Sequence, residues 1–172
     1  MQVPPAEQSH LFHTLGVGAI QLGKKPQHVA GLIPLPTYRH RKLFMVLPDM
    51  NRFYIYDGAL QGRLENQHTA IDIRYLLAGI NEEGFINSIF VYPLQVNKHI
   101  AGRLCQVYGE PSIGLSGPGR KAGNTHHFWV TEGETEICYV APSQEAREMA
   151  VIVFRFFYDL DALKHFTIAL SN

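Results

Sequence analysis

The chain has 172 residues, of which 46% are hydrophobic and 17% are charged, and its 15 basic and 15 acidic side chains give a formal net charge of zero. This composition is typical of a globular protein with a sizeable core and excludes an intrinsically disordered chain. Because non-specific nucleic-acid binding draws its affinity from an excess of Lys and Arg, the charge balance also argues against a nucleic-acid partner.

The two cysteines, Cys105 and Cys138, are too few for a disulfide scaffold or a four-thiolate metal site. We expect two buried free thiols, and a bridge between them is the alternative for a protein outside the cytosol. No stretch approaches the roughly 18 apolar residues of a membrane span, and residues 1–10 lack the pattern of a secretory signal. The expected location is therefore the cytoplasm, or the periplasm or exterior if the N-terminus has been trimmed, with no membrane partner.

In the first half of the chain, the pattern predicts one short helix followed by strands. Pro26 suits the first turn of a helix, and apolar residues then recur on one helical face until Pro34 ends it. The tail at residues 1–10 is expected to be loose. Strands are expected over 19–22, 42–48, 52–56, 59–65, 69–76 and 85–92.

These strands carry three further predictions. Asp57-Gly58 is typical of a two-residue hairpin turn. Apolar and polar residues alternate over 69–76, which places Ile71 and Tyr75 on one buried face. The strand over 85–92 is apolar on both faces, so we expect it in the interior of the sheet.

The second half begins with a longer helix. Asn97 is a good N-cap, Gly109 is a typical stop, and an apolar stripe runs from Ile100 to Tyr108. A mobile glycine-rich loop is expected after this helix, over 112–124. Strands are then expected over 125–131, 135–141 and 149–158, and a closing helix from Asp159 or Asp161 onward.

This order predicts a single α+β domain over 1–172, with a largely antiparallel sheet and helices packed on one face. Residues 27–32 and 98–103 share His, a β-branched residue, Ala and Gly at the same spacing. The alternative organisation is therefore two tandem helix-plus-β-meander units, over 18–92 and 93–172. Such an arrangement resembles, in architecture only, the tandem units of some bacterial inhibitor and assembly-factor proteins.

No catalytic, cofactor-binding or metal-binding motif has the required spacing and context. The glycines at 114–119, before Arg120 and Lys121, follow a helix and precede a strand, whereas a phosphate loop follows a strand and precedes a helix. His126 and His127 are adjacent on a strand, so their side chains point to opposite faces and do not bind one ion together. We predict no catalytic residue, no metal site and no cofactor.

Two strand residues allow more than one interpretation. Arg155 lies in an apolar run, so it either pairs with an acid, for which Glu136 is the natural candidate, or contacts an anion or a partner. Trp129 shares a strand face with His127. If that face is open, Trp129 belongs to a recognition surface, and if helices cover it, Trp129 belongs to the core.

We therefore expect a non-enzymatic protein-binding module of the inhibitor, immunity or assembly-adaptor type, which recognises another protein with its surface. A homo-oligomer is compatible with this function. The alternative is a small-molecule-binding protein or a hydrolytic enzyme with a site in the concave face of the sheet. The predicted binding residues are Trp129, His127, Arg155, Arg120 and Lys121.

Overall fold

Most of the described chain consists of strands, which form two sheets. The computed structural model describes residues 12–38, 49–56, 61–63, 70–94, 99–111, 125–141, 150–156 and 158–159. The small sheet consists of β1 (Phe12–His13), β2 (Gly16–Val17) and β3 (Ile20–Gln21). The main sheet consists of β4 (Leu32–Pro34), β5 (Phe53–Tyr56), β6 (Gln61–Arg63), β7 (Ala70–Ile80), β8 (Ile86–Pro93), β9 (Thr125–Val130), β10 (Thr135–Ala141) and β11 (Val151–Phe156).

The main sheet is antiparallel at every described pairing, in the order β4-β5-β7-β8-β11-β10-β9, and β6 pairs with β7. β8 is the central strand of this order, and all eight of its residues are buried. The prediction of an interior strand over 85–92 is therefore confirmed. The α+β prediction holds in its coarse form, because the described residues contain a mostly antiparallel sheet and one α-helix, α1 (Ile100–Tyr108).

Both faces of the main sheet are buried. The small sheet and α1 contact the first face, where the Phe154 ring lies 6.3 Å from Phe12 and 6.4 Å from Tyr108. The strand residues of the first-face core include Leu76, Ala78, Ile86, Ile89, Val91, Trp129, Ile137, Tyr139, Ile152 and Phe154. The second-face core includes Phe53, Ile55, Tyr75, Leu77, Phe90, Tyr92, Cys138, Val140, Val151 and Val153.

Helix α1 has the predicted inner stripe. Ile100 and Leu104, four residues apart, are 2% and 0% exposed. The helix ends at Gly109, whose φ of 83° places it in the left-handed region and whose N–H donates to the Cys105 carbonyl oxygen at 2.8 Å. The N-terminal boundary differs from the prediction, because His99 occupies the N-cap position and its side chain makes no cap hydrogen bond.

The prediction of a short helix after Pro26 is wrong. Pro26–His28 forms a single 3-10 turn, and Leu32–Pro34 is strand β4, paired with β5. Gly31 lies between them at a φ of +87°, and a Cβ there would come within 2.7 Å of the Tyr56 ring. Positive φ is incompatible with a continuous α-helix, so the shared residues at 28–31 and 99–102 differ in conformation.

The predicted common face of Ile71 and Tyr75 is also wrong. Ile71 belongs to the first-face core and Tyr75 to the second. The register shifts by one residue between Ile73 and Tyr75, so Arg74 is an extra residue on β7. Such a bulge exchanges the faces of all later side chains, because the period of a strand is two.

The hairpin predicted between β5 and β6 is absent from the described registers. Phe53 of β5 pairs with Gly79 of β7, and Gln61 of β6 pairs with Asp72 of the same strand. Both strands therefore run in one direction along β7.

Several predictions concern residues outside the described ranges, namely those for 1–10, 42–48, 57–58, 112–124 and 160–172.

Candidate functional site

Trp129 on β9 is a core residue. Its side chain is 2% exposed, and its indole Nε1–H donates a hydrogen bond to the Gly109 carbonyl oxygen at 2.8 Å. Its ring also lies 6.1 Å from that of Tyr108. Since Gly109 ends α1, the indole joins β9 to the helix. Of the two interpretations of Trp129, the core interpretation is confirmed, and the side chain is not part of an exposed recognition surface.

His127 packs beside Trp129 on the same covered face, as strand parity predicts. Its half-buried ring stacks at 6.0 Å on Trp129 and at 6.1 Å on Tyr139. Its Nδ1 atom is buried and has no hydrogen-bond partner within the described ranges. His126 stacks instead on Phe128, at 6.1 Å, on the opposite face. The two imidazoles are thus separated by the sheet and do not form a joint site.

Arg155 forms the ion pair that its apolar context predicts. Its Nη2 lies 2.6 Å from Oε2 of Glu136, and the two side chains are 9% and 10% exposed. The residues are directly opposite each other in the β10–β11 register. The Nη1 atom also donates to the Phe156 carbonyl oxygen, at 3.4 Å. Acceptors within the protein therefore take up part of the hydrogen-bonding capacity of this guanidinium.

A buried polar row continues from this ion pair into β8. Ser88 is paired with Arg155 in the β8–β11 register, and its Oγ donates to Oδ1 of Asn87 at 3.3 Å. Asn87 is an extra residue where the register shifts between Gly79 and Ile80. The row is buried, and within it the Arg155–Glu136 ion pair links β11 to β10, whereas the Ser88–Asn87 hydrogen bond lies within β8.

The two cysteines lie on opposite sides of the main sheet. Cys105 packs against the first-face core, Cys138 belongs to the second, and both are free thiols. Burial raises the pKa of the Cys138 thiol well above its ordinary value, and the nearby Glu136 carboxylate raises it further. The pKa of Cys105 is raised by desolvation first and by Glu110 second. Thiols that remain protonated are poor nucleophiles.

Among the large hydrophobic side chains of the described residues, the most exposed is one that the sequence pattern placed at the end of a buried strand. Tyr158 is 65% exposed and stacks on the Phe156 ring at 5.7 Å and 15°. The Asp159 N–H donates to the Phe156 carbonyl oxygen at 3.1 Å, which turns the chain at this point. The only signal in the sequence for a turn at this point is the Asp that follows Tyr158.

Two acidic turns lie at the same end of the sheet as Tyr158. One joins β7 to β8 and carries exposed Glu82 and Glu83, and the other joins β9 to β10 and carries exposed Glu132 and Glu134. Since neighbouring strands are about 4.8 Å apart, the two turns are about 14 Å apart, with the end of β11 between them. We call Tyr158 and these four glutamates the acidic–aromatic end.

Hydrogen bonds hold both turns in defined shapes. In the β9–β10 turn, the Thr131 N–H donates to the Thr135 carbonyl oxygen at 2.9 Å, and Glu134 has a φ of 59°. In the β7–β8 turn, Oδ1 of Asn81 accepts from the Phe85 N–H at 2.9 Å. The glutamates are therefore presented on short, ordered connections.

Arg120 and Lys121 lie outside the described residues, so their predicted role stays a prediction. Among the residues that the structure does describe, no three His, Cys, Asp or Glu side chains are grouped so as to hold a metal ion. Within the same residues, no helix is long and apolar enough to cross a membrane.

Comparisons with protein families, with curated proteins and with solved structures found no match.

Proposed function

We propose that this protein is a non-enzymatic binding module of the inhibitor, immunity or assembly-adaptor type, and that the acidic–aromatic end contacts its partner protein. The observation that carries this proposal is the exposure of the Tyr158 side chain. An aromatic side chain that is 65% exposed leaves a large apolar area in water, which binding would bury. Tyr is among the residue types that dominate the energetics of protein interfaces.

The stacking of Tyr158 on Phe156 supports this role. The second ring restricts the tyrosine side chain before any partner arrives. Ordering a side chain on binding costs about 0.5–1.5 kcal/mol, and a restrained side chain avoids part of that cost. The surface is therefore pre-organised at its centre.

The glutamates on both sides of Tyr158 indicate the character of the partner. Four exposed carboxylates would attract a basic protein surface and speed up its association. Two described cations beside the β7–β8 turn are already engaged, since Lys25 lies over the Phe85 ring and Arg52 donates to the Ile80 carbonyl oxygen. The expected partner therefore presents Arg or Lys side chains around an apolar pocket for the tyrosine.

The test is affinity capture from the source organism, followed by binding measurements with the captured protein. Wild type is compared with Tyr158→Ala and with Glu132→Lys/Glu134→Lys. The matched control is Leu94→Ala, because Leu94 is 55% exposed at the opposite end of β8. We expect Tyr158→Ala to weaken binding about tenfold or more, the charge reversal to slow association, and the control to bind like wild type.

Two outcomes would overturn the proposal. One is a partner whose affinity is unchanged by Tyr158→Ala and by the charge reversal. The other is the absence of any specific partner together with a thermal shift on addition of a small metabolite, which would favour the small-molecule or hydrolytic alternative.

A further inference from the structure

One end of the main sheet carries most of the exposed large hydrophobic side chains of the described chain. Of the four that are exposed, Met50, Val130 and Tyr158 lie at this end, and Leu94 lies at the other. Exposed apolar side chains that are grouped, rather than scattered singly, mark interaction sites. The apolar part of this surface is therefore not limited to Tyr158.

Met50 lies on the far side of the β7–β8 turn from Tyr158. It is 45% exposed, in the 3-10 turn Met50–Arg52 that leads directly into β5. The Arg52 guanidinium donates through Nη2 to the Ile80 carbonyl oxygen at 3.0 Å, and the start of β5 pairs with the end of β7. These contacts fix Met50 beside the acidic β7–β8 turn.

Apolar and acidic groups alternate along this end of the sheet. In the strand order β5-β7-β8-β11-β10-β9, Met50 comes first, the acidic β7–β8 turn second, Tyr158 third and the acidic β9–β10 turn last. Because β5 and β11 are three strand spacings apart, Met50 and Tyr158 are about 14 Å apart, and the row from β5 to β9 is about 24 Å long.

The row is acidic. Asp49, which precedes Met50, adds a fifth exposed carboxylate to the four glutamates of the acidic–aromatic end. Two exposed lysines of the described residues lie beside the start of β8, namely Lys24, whose carbonyl oxygen accepts from the Ile86 N–H at 2.8 Å, and Lys25. Five carboxylates near two lysines leave this end negative, which favours a basic partner.

The row lies across the ends of the strands and presents side chains rather than a strand edge. In the β9–β10 turn, the Glu134 N–H donates to the Thr131 carbonyl oxygen at 3.0 Å, and in the β7–β8 turn the Asn81 N–H donates to the Phe85 carbonyl oxygen at 2.9 Å. A partner strand adds to a sheet edge, whereas a helix binds through an apolar stripe of side chains. The row therefore suits a helix.

We propose that the acidic–aromatic end, together with Met50, binds an amphipathic basic α-helix of the partner protein, laid across the strand ends. This rests on the proposed function, because it names the segment that the partner presents. The 14 Å between Met50 and Tyr158 correspond to between two and three turns of about 5.4 Å each, so both side chains contact one apolar stripe. Lys and Arg beside that stripe face the carboxylates, and a row of about 24 Å holds about 16 residues of helix.

The test uses a synthetic probe, so it does not depend on a captured partner. A peptide of about 18 residues carries Leu at helical spacing on one face and Lys and Arg elsewhere. One control peptide has the same composition with Leu in a strand-like alternation, and the other keeps the helical spacing with Glu in place of Lys and Arg. Fluorescence anisotropy measures binding of each labelled peptide. We expect wild type to bind the basic helical peptide at least about tenfold more tightly than either control.

Substitutions locate the bound helix on the row. Met50→Ala and Tyr158→Ala should each weaken binding of the basic helical peptide by about threefold or more, and Glu82→Lys/Glu83→Lys by about tenfold. The matched control is Leu94→Ala, at an exposed apolar residue of the opposite end, which should bind like wild type. Circular dichroism confirms that each variant is folded.

Equal affinity for the three peptides, or binding that Met50→Ala and the charge reversal leave unchanged, would overturn the proposal of a helix. Binding of a captured partner that Tyr158→Ala weakens and Met50→Ala does not would also refute a helix across the row, while the proposed function would stand. A captured partner that is insensitive to Tyr158→Ala and to charge reversal would refute the proposed function itself, so the two failures are distinguishable.

Discussion

Glu136 and Arg155 are the two buried charged residues of the described chain. Burial of either charge alone would be costly, and their contact at 2.6 Å, directly across two adjacent strands, compensates for the desolvation of both. An Arg within an apolar strand and a Glu on the next strand were sufficient to predict this pair. The pairing needed no knowledge of the overall fold, because it depends only on two neighbouring strands.

Removal of one member of this pair should destabilise the protein more than removal of both. Arg155→Met leaves the Glu136 carboxylate buried without its cation, and we expect the free energy of unfolding to fall by about 3–5 kcal/mol. The double variant Arg155→Met/Glu136→Leu should lose less, since it leaves no buried charge. Urea denaturation of the two variants and of wild type measures this difference. A double variant that is less stable than Arg155→Met would contradict the explanation.

At the scale of elements, the small sheet lies unusually close to the main sheet at Gly16. A Cβ at this position would come within 2.3 Å of the Ile20 carbonyl oxygen and 2.7 Å of Cδ1 of Ile89, and the φ of Gly16 is +147°. Both the backbone conformation and the space therefore require glycine. This glycine allows β2 and β3 to cover β8 directly.

Gly16→Ala should lower the free energy of unfolding by at least about 1–3 kcal/mol, because it combines a strained φ with a steric overlap. The matched control is Gly102→Ala within α1, where a Cβ meets no atom within 4 Å. That control should raise the free energy of unfolding by about 0.5–1 kcal/mol through helix propensity. Urea denaturation gives both values. Similar stabilities of the two variants would show that the small sheet does not require glycine at this position.

The predicted elements match the structure best where the signal is local and long. β8, α1, β10 and β11 follow from apolar runs, turns and a glycine stop. The helix predicted after Pro26 fails because pairing of β4 with β5 outweighs a helical spacing of only three apolar residues. The prediction of which residues share a face of β7 fails because nothing in the alternation of its residues marks Arg74 as an extra residue.

At the scale of the whole molecule, protonated tyrosine and cysteine side chains are buried on both faces of the main sheet. Their burial makes the free energy of unfolding decrease at alkaline pH. Burial raises the pKa of Tyr92 and of Tyr108 well above the ordinary value of 10.0, and it raises the pKa of Cys138 well above 9.0. In the unfolded chain these groups lose their protons at the ordinary values. The contribution of these groups is therefore fully present below pH 9 and is lost progressively as the pH rises above 9 to 10.

We expect the free energy of unfolding to decrease above pH 10, by up to about 1.4 kcal/mol per pH unit for each such group. Urea denaturation between pH 8 and pH 11, with tyrosinate absorbance recorded at 295 nm, measures this. Tyr92→Phe keeps the shape of the ring and should reduce the slope, because one group no longer titrates. A stability that is independent of pH over this range would contradict the burial of these tyrosines.

The sequence by itself determined the class of the fold, the interior position of β8, the inner face of α1 and the pairing of Arg155 with Glu136. Each of these follows from the order of residues along one element or two neighbouring strands. Only the tertiary structure decided that Trp129 is buried, that Ile71 and Tyr75 lie on opposite faces, and that Tyr158 stands between two acidic turns. Those facts depend on strand order, on bulges and on which face the small sheet and α1 cover, and long-range packing sets all three.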